Sequence, residues 1–173
     1  MRRPSARAER NGLRLRMLDE GMTHADIADE FIRRYRYRPR AAFRHAYGWT
    51  LERAADHING DAARLDLDPD GRAPMTAPRL SELEQWPEPT ARRRLTPQTL
   101  ALLATAYGTD VHSLLDGHDH ARIRSADRLV INAMMCIGQP SACLCDRRRQ
   151  PAAARPRVPR PRPDTRASSG VLL

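Results

Sequence analysis

The sequence predicts an all-α protein: a small bundle of short helices containing a helix-turn-helix, with a disordered Arg/Pro-rich C-terminal tail. Three observations carry this. Apolar residues recur at helical spacing almost throughout, without the sustained alternation that strands require. Cap and stop residues divide that pattern into short elements. The pattern fails after about residue 139, and from Arg147 the chain reads RRRQPAAARPRVPRPRPDTRASSG, with almost nothing able to enter a core.

The elements follow in order. Leu13, Met17 and Leu18 form the inner face of a first helix that Gly21 ends. Thr23 caps a second, with Asp26 as its capping-box partner and Ile27, Ala28, Phe31 and Ile32 inside. Pro39 disfavours helix at Arg38 and suits the first turn of a third helix, which buries Ala42, Phe43, Ala46 and Tyr47 and stops at Gly48. Thr50 caps a fourth, with Leu51, Ala54, Ala55 and Ile58 on one face and Asn59-Gly60 as its end. After a polar loop to Pro74, Thr76 caps a fifth helix containing Leu80, Leu83 and Trp86, broken by Pro87 and Pro89. Thr96-Pro97 start a sixth, with Leu100, Leu103, Ala104 and Tyr107 inside and Gly108 as stop. Asp110 caps a short seventh with Val111, Leu114 and Leu115. Ser125 caps an eighth through Leu129, Val130, Ala133 and Met134.

The chain of 173 residues holds 30 basic residues, every one an arginine, against 21 acidic ones, for a net charge of +9. The missing lysine, with many prolines and alanines, reads as a GC-rich coding bias, so arginine content alone says little. Position says more. Residues 1–49 hold 12 Arg against 6 acidic residues, residues 50–146 hold 10 against 14, and residues 147–173 hold 8 against one. Basic ends suit a polyanionic partner, nucleic acid above all. No apolar run reaches membrane-spanning length, and MRRPSARAER lacks the apolar core of a secretory signal. A cytoplasmic, nucleoid-associated protein is expected.

Residues 38–117 resemble the phage-repressor-like (Cro-type, XRE-type) helix-turn-helix family. RPRAAFRHAYGWT is similar to that family's first helix and its G-W-[ST] ending, and TLERAADHIN to its second helix. RLSELEQW is similar to its recognition helix, with Glu84 at a common acidic position, and LTPQTLALLATAYGTDVHSLL to its closing pair. GMTHADIADEF followed by RYRYRPRAAFRHAYGW further resembles actinobacterial regulators with an extra N-terminal helical segment. The expected division is an N-terminal helical segment over 1–37, the helix-turn-helix domain over 38–117, an additional helix and linker over 118–146, and the basic tail over 147–173. The resemblance implies a sequence-specific transcriptional regulator, not an enzyme, that binds double-stranded DNA. A homodimer reading two half-sites is expected, with no membrane and no small-molecule substrate. One departure is the stretch GDAARLDLDPDGRAP, which stands where the family has a short turn; another is Leu51 in place of a glutamine.

A recognition helix must offer short polar or basic residues to base edges while its other side is anchored. Leu80, Leu83 and Trp86 supply the anchor, which leaves Thr76, Ala77, Arg79, Ser81 and Glu82 for the groove, with Arg79 able to bridge a guanine. Thr50, at the start of the preceding helix, would approach phosphates through backbone amides. Arg92, Arg93 and Arg94 follow the recognition helix and would reach the backbone. A second reading places DNA earlier, against Arg38, Arg40, Arg44 and His45, with Tyr35 and Tyr37 either stacking on bases or packing half-buried. The two coexist if the basic segment supplies phosphate affinity, through Arg40 and Arg44, and the Thr76–Trp86 helix supplies specificity.

Other chemistries find little support. Asp66, Asp68, Asp70 and Gly71 imitate the start of a calcium loop, but the twelfth position is Ala77. His118 and His120 flank Asp119 beyond a helix end and read as charge complementarity there. Cys136, Cys143 and Cys145 lack zinc-site spacing and read as free thiols. No metal or other cofactor is expected, and no catalytic triad, Walker loop or dinucleotide fingerprint occurs. The rival classes are a protein-interaction module (an antitoxin-like or adaptor bundle) and a nonspecific nucleic-acid binder acting through its tail.

Overall fold

The computed structural model describes residues 5–68, 74–88 and 94–134. Among them are eight α-helices, one 3-10 turn and no strand. No helix among the described residues is long and apolar enough to cross a membrane. The cysteines, the tail, and Asp70 and Gly71 of the calcium-like loop lie outside the described residues.

Local chemistry sets the first half of the bundle. Helix α1 (Ala6–Asp19) buries only Met17, and Gly21 turns the chain out of it at φ +79°. Helix α2 (His24–Tyr35) opens on the expected capping box. The Asp26 amide donates to Thr23 Oγ1 at 3.2 Å and the Thr23 amide to Asp26 Oδ2 at 2.9 Å. Ile27, Ala28 and Phe31 then face α3 (Pro39–Ala46), which begins with proline at its first turn. Gly48 leaves α3 at φ +70°, and Thr50 caps α4 (Leu51–Arg64) through a 3.2 Å bond from the Arg53 amide.

Helix α4 runs past Asn59-Gly60, where the sequence predicts its end. The Asn59 amide group instead clasps the backbone of Met75, accepting from Met75 N at 2.7 Å and donating to Met75 O at 2.8 Å. Ala62, one turn further, is buried. These gains outweigh the cost of roughly 0.5–1 kcal/mol for a mid-helix glycine.

Helix α5 (Ala77–Gln85) and helix α6 (Pro97–Ala106) pack on α4, each capped by a threonine followed by proline in the first turn. The expected seventh element is a 3-10 turn, His112–Leu114, in which the Ser113 amide donates to Asp110 Oδ1 at 2.8 Å. Helix α7 (Gly117–Arg122) is not foreseen by the apolar pattern. Its residues are polar, and what forms it is a second capping box, Asp116 with Asp119. His118 and His120 therefore lie within a helix, not beyond one.

Helix α8 (Ser125–Ala133) turns a different face inward from the one expected. Ile131 is fully buried, whereas Leu129 is 74% and Val130 48% exposed. Arg128 sets the rotation. It donates to the carbonyls of His120 and Ile123 at 3.0 and 3.1 Å, and residues three apart share a helical face, so Ile131 follows it inward. One continuous apolar core runs from Met17 on α1 to Ile131 on α8.

Candidate nucleic-acid interface

Helix α5 buries one side more completely than the other. Leu80, Leu83 and Trp86 are buried, together with Glu84. Thr76 and Pro78 are exposed, and Ala77, Arg79, Ser81 and Glu82 are half-buried. Of the residues expected to face a groove, Thr76 is therefore exposed and the other four are partly covered. Thr76 caps the helix through a 3.4 Å bond from the Arg79 amide. The Arg79 guanidinium reaches back to the Pro74 carbonyl at 3.2 Å, which holds the side chain along the start of the helix.

Glu84 sits at the back of α5. Its carboxylate accepts from Arg44 Nε at 2.6 Å and from Nη2 at 2.8 Å. Both groups are nearly out of solvent. This two-point pairing neutralises one of the two acidic residues of α5 and turns it away from any groove-facing surface.

Arg40 and Arg44, expected to contact phosphate, are buried. Arg44 is committed to Glu84 and to the Trp49 carbonyl at 3.0 Å. Arg40 is 0% exposed. Its Nε donates to Leu83 O, Nη1 to Leu114 O and Asp119 Oδ2, and Nη2 to Trp86 O and Asp119 Oδ1, at 2.6 to 3.1 Å. A guanidinium has five N–H donors, and these five contacts use them all. Arg38 closes the same cluster, with 3.1 and 3.3 Å contacts to Asp116 and Asp119 and a further pairing to Glu88. The basic α3 segment is therefore an internal scaffold, and the reading that sets Arg38, Arg40 and Arg44 against DNA is corrected by their burial and pairing. Arg40 binds two carbonyls at the C-terminal end of α5, so it acts on that helix from behind.

His45 also turns inward. Its ring stacks on Tyr37 with centroids 4.8 Å apart. Burial, then the charges of Arg44 and Arg10, push its pKa down to about 3. Tyr35 and Tyr37 are half-buried packing residues.

Of the arginines after α5, Arg94 is exposed and borders a small depression with Trp86, Arg122 and Arg124. Arg92 and Arg93 lie outside the described residues. Sequence reasoning missed Arg122 and Arg124 as neighbours of Arg94 because α7 was not anticipated. It also missed Asp119 as the partner of Arg40. One signal was present: D-G-H-D at 116–119 has the same cap spacing as T-H-A-D at 23–26. Thr50 is exposed at the start of α4.

Among the described residues, no cluster of three or more His, Cys, Asp or Glu is arranged to hold a metal ion. The fold defines the class: among the described residues, an all-helical bundle. Comparison with known proteins adds no name to that class, since no family model, curated protein or solved structure matches the chain at a significant level.

Proposed function

We propose that the chain is a transcriptional regulator that binds double-stranded DNA with sequence preference, presenting α5 to the major groove. One observation carries this reading. Helix α5 is fixed from behind by Leu80, Leu83, Trp86 and Glu84, while Thr76, Ala77, Arg79, Ser81 and Glu82 line its outer, leading side. Helix α4 precedes it with Thr50 exposed at its N-terminus, where backbone amides suit phosphate. Arg79 is the base-reading side chain and Arg94 a backbone contact. Selection of bound sequences from random duplexes tests the reading. An enriched site is expected, and Arg79→Ala should relax the preference at one or two base positions, by roughly 1–3 kcal/mol of discrimination. An unchanged preference in that variant would remove α5 from its role.

A second reading, a protein-interaction bundle, is favoured by Leu129 and Val130, which leave an apolar strip of α8 in solvent. Failure of the full chain to retain any duplex would favour it.

A further inference from the structure

We propose that the groove between α1 and the start of α4, walled by Arg7, Arg10 and Arg14, is a second docking surface for duplex DNA, one that grips the sugar-phosphate backbone without reading sequence. The inference rests on the DNA-binding reading and extends it to a helix outside the α4–α5 pair. The groove measures about 650 Å³ and reaches down to Arg44, Gly48 and Thr50. Arg44 ties its floor to Glu84 on α5.

Helical spacing explains the wall. Positions 7, 10, 14 and 17 lie on one stripe. Along it, exposure falls from Arg7, through half-buried Arg10 and Arg14, to buried Met17. Met17 anchors the C-terminal half of α1 and leaves the arginine-bearing half over the groove. From residue 7 to residue 14 the stripe spans roughly 10 Å, longer than one phosphate and suited to successive phosphates of a strand.

The guanidinia of Arg10 and Arg14 are placed by neutral partners, and Arg7 is exposed. Arg10 donates to the Tyr37 hydroxyl. Arg14 donates to Asn11 Oδ1 at 3.1 and 3.3 Å, and its Cζ lies across Gly48, 2.9 Å from where a Cβ would stand. Both acceptors are neutral. Glu9, the acidic residue of α1 nearest this stripe, is turned to Arg34 at 3.2 Å. Glu52 is the one carboxylate among the groove-lining residues.

Two histidines lie close enough to the stripe to feel its charge. The Arg10 charge adds to burial and Arg44 in lowering the pKa of His45, and the Arg14 charge adds to burial in lowering that of His24. The N-terminus of α4 borders the same space, where the Arg53 amide donates to Thr50 Oγ1 and the Glu52 carboxylate accepts from its own backbone N–H and from Thr50. A stripe of three arginines that faces one carboxylate across the groove forms a polyanion surface of the kind that positions a duplex rather than identifies it.

The experiment compares the full chain with Arg7→Gln/Arg14→Gln on two duplexes: the sequence enriched by selection and a scrambled duplex of equal length. Arg10 is kept because of its contact with Tyr37. The double variant is expected to bind both duplexes on the order of tenfold more weakly at ~0.1 M salt, with the salt slope reduced by about 2 and the preference between duplexes unchanged. Arg7→Lys/Arg14→Lys keeps the charge and should keep the slope, which separates loss of charge from loss of fold. Unchanged affinity and slope in the glutamine variant, with wild-type preference intact, overturn the groove and leave the α5 reading standing. An effect confined to single-stranded RNA overturns it as well. Equal wild-type binding of both duplexes, weakened by the glutamine variant, sinks the α5 reading and leaves the groove. No binding of either duplex by the wild type sinks both.

Discussion

On α3, Arg40 is fully buried and gives every N–H donor to an acceptor inside the protein, including both oxygens of Asp119. On α1, Arg7 is exposed, and Arg10 and Arg14 meet, among the described residues, the neutral oxygens of Tyr37 and Asn11. The two helices are similarly arginine-rich, and their arginines meet opposite ends. The difference lies in the company each helix keeps. Helix α3 runs through the middle of the bundle, where a charge is tolerated only with a complete set of partners. Helix α1 lies at its edge, where a guanidinium stays charged and hydrated. An arginine run in a sequence is thus a scaffold or a polyanion surface according to where its helix packs, and burial decides between them.

The largest effect expected from this contrast is at the buried end. Arg40→Ala leaves Asp119 buried with its main partner gone and frees the carbonyls of Leu83, Trp86 and Leu114. Loss of about 3–5 kcal/mol of stability is expected, read as a lower denaturant midpoint in urea. Asp119→Ala should cost a comparable amount. Combining the two changes should not restore the wild-type midpoint, because three carbonyls still lack donors. Arg7→Gln, by contrast, should leave the midpoint within roughly 0.5 kcal/mol of wild type. Equal midpoints for the α1 and α3 variants would break the comparison.

Next in size is Glu84→Gln. The amide keeps one acceptor for Arg44 but loses the charge and the two-point pairing, an expected cost of about 1.5–3 kcal/mol, on the scale of a hydrogen bond to a charged group. Because Glu84 fixes the back of α5, the same variant should blur sequence preference without changing the salt slope. A variant that loses stability yet keeps full preference would show that Leu80, Leu83 and Trp86 hold α5 unaided.

The sequence carries the helices well where caps and apolar stripes agree. The Thr23–Asp26 box, the Pro39 start, the Gly48 stop and the Thr76 cap all appear in the structure where local chemistry puts them. It carries less where tertiary partners override local signals. Asn59-Gly60 reads as a helix end, but the end depends on whether Met75 is there to be clasped. Leu129 and Val130 read as core because apolar spacing says nothing about which side of a final helix meets the bundle. Arg128 decides that through carbonyls supplied by another element. The candidate site divides in the same way. The leading edge of α5 is legible because its leucines and tryptophan repeat at helical spacing. The fates of Arg40 and Arg44 are not, since their carboxylate partners lie 79 and 40 residues away along the chain.

The smallest effect concerns His45, which lies between the two sets of arginines. Its half-buried ring stacks on Tyr37 and faces Arg44 from its own helix and Arg10 from α1. In the folded chain it stays neutral down to about pH 3, whereas its ordinary value is 6.5. Between these values the unfolded chain binds a proton that the folded chain does not, so this residue lowers stability as pH falls from 6.5 towards 3. Denaturant midpoints taken from about pH 7 to about pH 5, above most carboxylate titration, should fall less steeply in His45→Asn than in the wild type. Arg10→Gln sharpens the comparison further. Burial is the largest cause of the shift and Arg44 the next, so removing the α1 charge should raise the His45 midpoint only modestly in an NMR titration. Arg44, paired to Glu84 but still adjacent, keeps the ring neutral near pH 6. A wild-type midpoint near 6.5 would mean that the ring is open to water and that the arginines of α1 and α3 do not share the boundary on which the contrast is built.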